Sequence, residues 1–353
     1  MTATVLKADS IIPVTDEERA VIAAAGARLV ERPCPTQDEL IRHGRGADAL
    51  LTLSEPVTAR VIGELGRCRL IARFGVGLDN VDVNAATDAG IYVSNNVDYC
   101  VDEVSDHALA LLLALARRIL PLDRSVREGT WDTLGVAGGT RRLRGSVLGI
   151  WGFGRIARAL LPKAAALGLE VWATDPYVPE FEMARLGAVP VDADTLVRGS
   201  DFLSLHMPLT SATRHLVGGL VLNAMKPGAC LINVSRGGLV DTVALAQALE
   251  NGAIGGAALD VFEEEPPPTD LSLLRLPNVV VSSHAAQYSV ESLAQLRREM
   301  FEEVALVLTG APPARAVNAV EVLASARRRS RGAGGDAEGG QVWTSSEPLG
   351  GGR

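Results

Sequence analysis

Four ionisable side chains stand directly after apolar, strand-like segments in the second half of the chain. His206 follows DFLSL, Arg236 follows LINVS, Asp260 follows GGAAL and His284 follows NVVVSS. In open α/β sheets, ligands bind beyond the carboxyl ends of the strands, so these side chains are expected to share a site. A buried arginine needs an anion to offset its desolvation, and histidine is the usual general acid or base near neutral pH. The pattern predicts a site that holds an anion and moves a proton; a surface turn is the alternative for Arg236.

The histidines differ in how well they suit acid/base chemistry. His284 ends a strand and begins HAAQYS, where the chain crosses back to its first domain, so a position in a cleft is expected. His43 and His215 have polar, loop-like neighbours and are interpreted as solvated, whereas His107 lies in an apolar helix and is interpreted as packed. The acidic run Glu263–Glu265 follows Asp260 closely. We expect one of its three carboxylates to reach His284 and the other two to be solvated.

The segment VLGIWGFGRIARAL carries a glycine motif of the form G-x-G-x-x-A, made by Gly152, Gly154 and Ala157. The first glycine permits a tight turn, the second lets a pyrophosphate approach the backbone, and the third small residue lets a helix pack closely on its strand. The helix would begin at Arg155 and Ile156, whose free N–H groups suit phosphates. The motif therefore predicts a dinucleotide cofactor.

Two further positions are predicted to belong to the cofactor site. Asp175 ends the next strand, LEVWAT, and an acidic side chain there can accept both ribose hydroxyls of adenosine while repelling a 2′-phosphate. This favours NAD over NADP. The alternative is that Asp175 only caps the turn into Pro176. His206, with Met207 and Pro208 after it, is assigned a structural or cofactor-lining role rather than catalysis.

Two blocks of alternating strand-like and helix-like segments must position these residues. The first covers about 100 residues and the second begins at Val147; between them, VDEVSDHALALLLALARRIL reads as one buried helix. Such alternation indicates parallel sheets covered by helices, and 353 residues suggest two domains. The predicted fold class is α/β, with two Rossmann-like parallel-sheet domains.

The composition excludes several classes of function. The formal net charge of −8 argues against binding to nucleic acid, and the four cysteines lack the C-x-x-C spacing of a metal or redox motif. No metal site is predicted. The N-terminus lacks the features of a signal peptide, and no apolar run approaches the roughly 20 residues that span a bilayer. A cytoplasmic protein without a membrane partner is expected.

The chain contains the motifs GFGRIA, NVSRGGLVD, LDVFEEEP and SSHAA, in this order. In these motifs, in their order and spacing, and over about residues 1–320, the chain resembles the D-isomer-specific 2-hydroxyacid dehydrogenase family. VDEVSDHALALLLALARR and HAAQYS look most similar to the branch that includes the C-terminal-binding-protein corepressors and their bacterial relatives. The resemblance implies NAD-dependent hydride transfer between a 2-hydroxy acid and its 2-oxo acid.

The resemblance also implies roles for individual residues. Arg236 would bind the substrate carboxylate, His284 would be the acid/base, and Glu265 would be the acid that partners this histidine. Asp260 would contact the nicotinamide carboxamide.

Further residues are assigned by the same resemblance. Val76 and Gly77 would offer backbone N–H groups to the substrate carboxylate, and the loop with Leu53 and Ser54 would close over its other side. The cofactor site would also include Val234, Ser235, Arg236 and His284.

The resemblance further implies how the chain is divided and assembled. Residues 1–96 with 290–322 would form the substrate domain, and 97–289 an inserted NAD-binding domain. The Gly- and Arg-rich tail, 323–353, is predicted to be disordered. A homodimer is expected through the cofactor domains and the helix around Val104 to Leu120.

Two other functions fit parts of the pattern. Phosphite and phosphonate dehydrogenases share the scaffold but commonly carry a lysine near the xGxGxDN segment, where this chain has Arg73. A corepressor-like protein would use NAD to drive dimerisation without turnover, although the presence of Arg236, Glu265 and His284 favours catalysis. Gln287 stands where the corepressor branch commonly has Trp, which predicts a more polar or roomier substrate pocket.

Overall fold

The computed structural model describes residues 2–324, which form two compact units. Of the described residues, the first unit contains 2–96 and 297–324, and the second contains 97–296. The predicted tail, 323–353, lies outside the described residues except for 323 and 324, which end a helical turn at 319–324.

The first unit is a five-stranded parallel sheet with helices. Its elements are β1 (Ala3–Lys7), α1 (Asp16–Ala24), β2 (Ala27–Glu31), α2 (Gln37–Gly44), β3 (Ala49–Thr52), α3 (Ala59–Ile62), β4 (Leu70–Arg73), α4 (Val83–Ala89) and β5 (Tyr92–Ser94). The strand order is β2-β1-β3-β4-β5. Leu6, Leu50, Ile71 and Val93 are successive partners across four of these strands, and all are buried in one apolar core.

The second unit begins with three helices, α5 (Val101–Ala116), α6 (Ile119–Arg127) and α7 (Thr133–Ala137). The single helix predicted through Leu120 is wrong, because the chain turns at Arg118, whose φ is 52°. Pro121 explains the break: it lacks an N–H and its ring would clash inside a continuing helix, but it fits the first turn of α6.

A seven-stranded parallel sheet follows in the same unit. Its elements are β6 (Val147–Trp151), α8 (Arg155–Ala166), β7 (Glu170–Thr174), α9 (Glu180–Leu186), β8 (Val189–Pro190), α10 (Ala193–Gly199), β9 (Phe202–Leu205), α11 (Gly219–Ala224), β10 (Cys230–Asn233), α12 (Thr242–Glu250), β11 (Gly256–Leu259) and β12 (Val279–Val281). Short 3₁₀ turns lie at Gly237–Leu239 and Ser272–Arg275, and α13 (Val290–Leu308) begins in the second unit and ends in the first.

The strand order β12-β11-β10-β9-β6-β7-β8 reverses between β6 and β9. A doubly wound sheet opens a crevice at such a switch point, beyond the carboxyl ends of the strands. Leu203, Leu231 and Ala257 are register partners on β9, β10 and β11, and their complete burial holds the centre of this sheet rigid. The predicted fold class, two Rossmann-like parallel-sheet domains with one inserted in the other, is confirmed.

Candidate active site

The glycine turn after β6 has the two properties that the motif predicts. Gly152 has a φ of +92°, and a β-carbon there would stand 2.6 Å from the carbonyl oxygen of His206, so only glycine fits. A β-carbon on Gly154 would meet no atom within 4 Å. The backbone at Gly154 is therefore open to a ligand at the switch point of the sheet.

Helix α8 starts immediately after this turn. Gly154 is its N-cap, and no side chain caps the first turn, so the N–H groups of Arg155 and Ile156 are available to phosphate oxygens. Ala157 is fully buried, as the close packing of helix and strand requires. The chain's own geometry thus fits the pyrophosphate of a dinucleotide.

Asp175 lies at the end of β7, beside the glycine turn. One carboxylate oxygen accepts the N–H of Phe153 at 2.7 Å, and the other accepts the N–H of Tyr177 at 2.8 Å. Each oxygen keeps further acceptor capacity for ribose hydroxyls. Asp175 therefore joins two turns, in addition to the ribose contact that the sequence predicts.

His206 follows β9 on the other side of the switch point. Its N–H donates to the carbonyl oxygen of Trp151 at 2.8 Å, and its Nε2 lies 2.8 Å from the Ser204 hydroxyl. Burial lowers the pKa of His206 to about 4. His206 is therefore neutral near pH 7, which suits the structural or cofactor-lining role; Met207 and Pro208 follow it at the crevice.

Three predicted catalytic groups meet beyond β10, β11 and β12. His284 Nδ1 lies 2.6 Å from Glu265 Oε2, while Glu265 Oε1 accepts the N–H of Phe262 at 3.0 Å. Burial would raise the pKa of Glu265, but these hydrogen bonds and the charges of His284 and Arg236 lower it below its usual value. Glu265 is thus an ionised carboxylate that holds the imidazole through Nδ1, leaving Nε2 as the atom for proton transfer.

Arg236 begins the loop after β10. Asn233 donates its side-chain amide to the Arg236 carbonyl oxygen at 2.8 Å, and Arg236 Nη1 donates to the Ser235 carbonyl oxygen at 2.7 Å. The Ser235 hydroxyl donates to the Leu205 carbonyl oxygen at 2.7 Å, which ties this loop to β9. The half-buried guanidinium is held close enough to Glu265 to stabilise its charge. Val234 and Ser235 lie in the same loop.

A cavity of about 550 Å³ opens beside the histidine–glutamate pair. Its walls include Phe262, Pro267 and Leu274 as well as Glu265 and His284. The pair is therefore accessible to a small molecule and has apolar neighbours that reduce the screening of its charges.

Asp260 is almost completely buried, with 1% of its surface exposed. Its Oδ1 accepts the Ser282 hydroxyl at 2.6 Å and the Ala285 N–H at 2.9 Å, and its Oδ2 accepts the Ala286 N–H at 3.0 Å. Its backbone carbonyl oxygen accepts the His284 N–H at 2.7 Å. Asp260 therefore fixes the turn that carries His284, a function that the sequence did not reveal; its contact with the carboxamide stays a prediction.

Glu263 and His215 form a second histidine–glutamate pair, at 2.7 Å between Nε2 and Oε2. The other oxygen of Glu263 accepts both the N–H and the hydroxyl of Thr242. His215 and Glu263 are both exposed, as interpreted, but they are also paired with each other, a contact that the sequence did not predict because the two residues are distant along the chain.

The predicted substrate-binding residues of the first unit follow β3 and β4. The N–H of Leu53 donates to Glu55 Oε2 at 2.8 Å and the Leu53 carbonyl oxygen accepts Arg73 Nε at 3.0 Å, while Ser54 is exposed. The Leu53 N–H is thus already bonded, so Leu53 would meet a ligand through its side chain. The N–H groups of Val76 and Gly77 have no partner among the described residues, which leaves both free for a carboxylate.

Within residues 2–324, no group of three or more His, Cys, Asp and Glu side chains could hold a metal ion. In the same range, no helix is long and apolar enough to cross a membrane.

Residues 109–286 match the family model "D-isomer specific 2-hydroxyacid dehydrogenase, NAD binding domain". A glyoxylate reductase of Korarchaeum cryptofilum is 39% identical over 292 residues, which cover 80% of this chain and 86% of that protein. The chain belongs to the D-isomer specific 2-hydroxyacid dehydrogenase family.

Other members of this family are similar in sequence or in structure. The D-3-phosphoglycerate dehydrogenase of Archaeoglobus fulgidus is 36% identical over 87% of this chain, which spans only 58% of that longer protein. The crystal structure of a glyoxylate reductase from Paecilomyes thermophila superposes with a TM-score of 0.81 at 26% identity, covering 90% of this chain and 98% of that one.

These findings confirm the resemblance seen in the sequence, together with NAD as the cofactor and the oxidoreductase class. They do not single out the corepressor-like branch, which stays a prediction. The matched NAD-binding domain lies wholly within the second unit, the unit that holds the glycine turn and the His284–Glu265 pair.

Proposed function

We propose that this chain is an NAD-dependent dehydrogenase that interconverts a small 2-oxo acid and its D-2-hydroxy acid, with His284 as the acid/base. The observation that carries the proposal is the 2.6 Å contact between His284 Nδ1 and an ionised Glu265 within the field of Arg236. A histidine that is held by an ionised carboxylate, next to a cation for the substrate, is suited to reducing an anionic carbonyl compound.

The proton transfer follows from the hydrogen bonds of His284. In the reduction direction the protonated imidazole, held through Nδ1 by Glu265, donates its Nε2 proton to the carbonyl oxygen of the substrate as C2 is reduced. In the oxidation direction the neutral imidazole removes the hydroxyl proton at the same atom. Bound NADH supplies the hydride that reduces C2.

Substrate binding is assigned to Arg236 and to the free backbone groups of the first unit. A planar guanidinium can hold a carboxylate with two hydrogen bonds, a geometry that lysine does not reproduce. The free N–H groups of Val76 and Gly77 would bind the same carboxylate. The loop with Leu53 and Ser54 would close over the other side of the substrate.

NAD would be held by residues on both sides of the β6–β9 switch point. The open backbone at Gly154 and the first turn of α8 suit the pyrophosphate, and Asp175 suits the ribose of adenosine. His206, Met207 and Pro208, with Val234 and Ser235, would line the remainder of the cofactor. Asp260 would face the carboxamide.

We further propose a substrate domain formed by the first unit, an NAD domain formed by the second, and a cytoplasmic homodimer. In support of the dimer, Trp131 and Leu134 of the segment from α6 to α7 are each 86% exposed, and Ile119 and Val126 are also exposed. Such apolar surface is typical of a protein–protein interface. All four cysteines are free thiols, as expected in a reducing compartment.

The test is NADH oxidation at 340 nm with a panel that includes glyoxylate, hydroxypyruvate, 3-phosphohydroxypyruvate and bulkier 2-oxo acids. Turnover of a 2-oxo acid that His284→Asn abolishes, while NADH still binds, would support the proposal. Tight NADH binding without turnover of any 2-oxo acid would contradict it. A separate reaction with NAD and phosphite tests the phosphite dehydrogenase activity that the same scaffold could support.

A further inference from the structure

A chain of hydrogen bonds runs from the middle of α5 to the turn that carries His284. His107 Nε2 lies 2.9 Å from the Ser282 hydroxyl oxygen, and this hydroxyl lies 2.6 Å from Asp260 Oδ1. A hydroxyl has a single proton, and the carboxylate can only accept, so the Ser282 proton points to Asp260. His107 must therefore donate its Nε2–H to Ser282, and the chain has one direction, from His107 through Ser282 to Asp260.

The turn that receives these bonds needs support, because His284 has a φ of 54°. Residues other than glycine rarely adopt this left-handed conformation, and it persists only where neighbouring groups impose it. Asp260 imposes it through the N–H groups of His284, Ala285 and Ala286, and Ser282 orients the Asp260 carboxylate from the other end of the turn.

We propose that His107 is a positioning residue for the dehydrogenase reaction, acting on His284 through Ser282 and Asp260. The proposal rests on the proposed function, since it assumes that His284 moves the proton. His107 donates its Nε2–H to the Ser282 hydroxyl oxygen and thereby restricts rotation of the hydroxyl. The hydroxyl proton therefore stays directed at Asp260 Oδ1. Its ring also lies 3.6 Å from Asp260 Oδ1, close enough to influence the field at this buried carboxylate.

His107 is not itself assigned to the cofactor site, so removing its N–H donor should loosen the His284 turn while the proposed cofactor contacts at the glycine turn and Asp175 remain. His107→Leu is expected to lower kcat about fivefold, the effect of one ordinary hydrogen bond, while the Kd for NADH changes less than about twofold. His107→Gln carries an amide N–H at nearly the reach of Nε2 and should restore most of kcat. His43→Leu, a histidine replaced in helix α2 of the other unit, is the matched control and should behave as wild type.

A double-mutant cycle separates positioning from general loss of packing. Ser282→Ala breaks the same chain, so the double variant His107→Leu/Ser282→Ala should lose no more kcat than the worse single variant. Additive losses, or a loss of kcat that follows a fall in Tm and is not restored by His107→Gln, would mean that His107 only packs, and would overturn the proposal.

The experiment distinguishes this proposal from the proposed function. If His284→Asn abolishes turnover but His107→Leu equals wild type, the positioning role fails and the dehydrogenase mechanism stands. If wild type and His284→Asn turn over equally, the mechanism itself fails, and the positioning role fails with it.

Discussion

Two histidine–glutamate pairs share the loop Phe262–Glu265, and they are similar in almost every local respect. His284 meets Glu265 at 2.6 Å and His215 meets Glu263 at 2.7 Å. Both histidines have left-handed backbones, with φ values of 54° and 52°. In both glutamates, burial raises the pKa but hydrogen bonds and nearby positive charge lower it below its usual value. Pair geometry alone therefore does not distinguish a catalytic dyad from a structural one.

The surroundings of the pairs differ. The second oxygen of Glu263 is bonded to both the N–H and the hydroxyl of Thr242 at the start of α12, and the His215 N–H donates to the Gly238 carbonyl oxygen. Glu263 thus ties three segments together. Among the described residues, Glu265 bonds to Phe262 of its own loop and to His284, beside a cavity and within the field of Arg236. The Glu265 pair therefore borders a cavity in which a ligand could bind, whereas the Glu263 pair, which also has Arg214 Nη2 at 3.7 Å, joins three segments of the fold.

The largest difference between the pairs should appear when each histidine is replaced by asparagine. His284→Asn should lower kcat at least about 1,000-fold, since general acid–base catalysis contributes about 10² to 10⁴. His215→Asn should change kcat less than about threefold. Asparagine tolerates the left-handed backbone at both positions, so neither change should unfold the chain. Equal losses in steady-state assays of both variants would remove the distinction.

The two glutamates should differ next, in their effect on the rate. Glu265→Gln removes the carboxylate that holds His284 through Nδ1, so kcat for reduction should fall about 10- to 100-fold at pH 7. Glu263→Gln should change kcat less than about threefold. A loss of kcat confined to Glu263→Gln would assign the pairs the other way round.

Glu263 should matter more for stability than for rate. Glu263→Gln weakens the bonds to Thr242 and His215 and is expected to cost about 1 kcal/mol in the free energy of unfolding at pH 7. The lowered pKa means that the carboxylate stabilises the fold above the ordinary glutamate pKa, and this contribution disappears as pH falls through the lowered value. Denaturant unfolding of both proteins should therefore converge at low pH; a constant difference would contradict this origin.

A histidine without a carboxylate partner sharpens the comparison further. The pKa of His206 falls to about 4 on burial, so the unfolded chain binds a proton there below about pH 6.5 while the folded chain does not. The free energy of unfolding should fall by about 1 to 2 kcal/mol as the pH drops from 6.5 to 4. This is less than the full pKa shift would give, because His206 is partly exposed. In denaturant unfolding across this range, His206→Gln should show a smaller slope with pH than wild type.

Much of this architecture is encoded locally and can be predicted from the sequence. Strands such as β10 are short apolar runs, and an ionisable residue such as Arg236 at the end of one marks the functional edge of the sheet. Strand β2 (Ala27–Glu31) is the counterexample, because its sequence ARLVE does not mark it as a strand. This strand lies at the sheet edge and carries Arg28 and Glu31, so it lacks an apolar run, and only its pairing with β1 defines it.

The candidate site likewise contains residues that the sequence could predict and contacts that it could not. Gly152, Asp175 and His284 could be singled out from motifs because their proposed functions depend on residue type at a fixed spacing. The bonds from Asp260 to the His284 turn and from Glu263 to Thr242 could not, since they join segments more than 20 residues apart through side chains that resemble solvated acids. Only folding shows which carboxylates are buried and which donors they meet.

Asp175 has a consequence for the engineering of cofactor preference. Its carboxylate accepts the N–H groups of Phe153 and Tyr177, so it anchors both turns that border the proposed ribose position. A designer who replaces it with a neutral residue to admit a 2′-phosphate would also release both anchors. A variant selected to accept NADP should therefore need a second substitution that supplies a new acceptor for these two N–H groups. The rigidity of the two turns, rather than the charge at position 175, would then limit the change in cofactor preference.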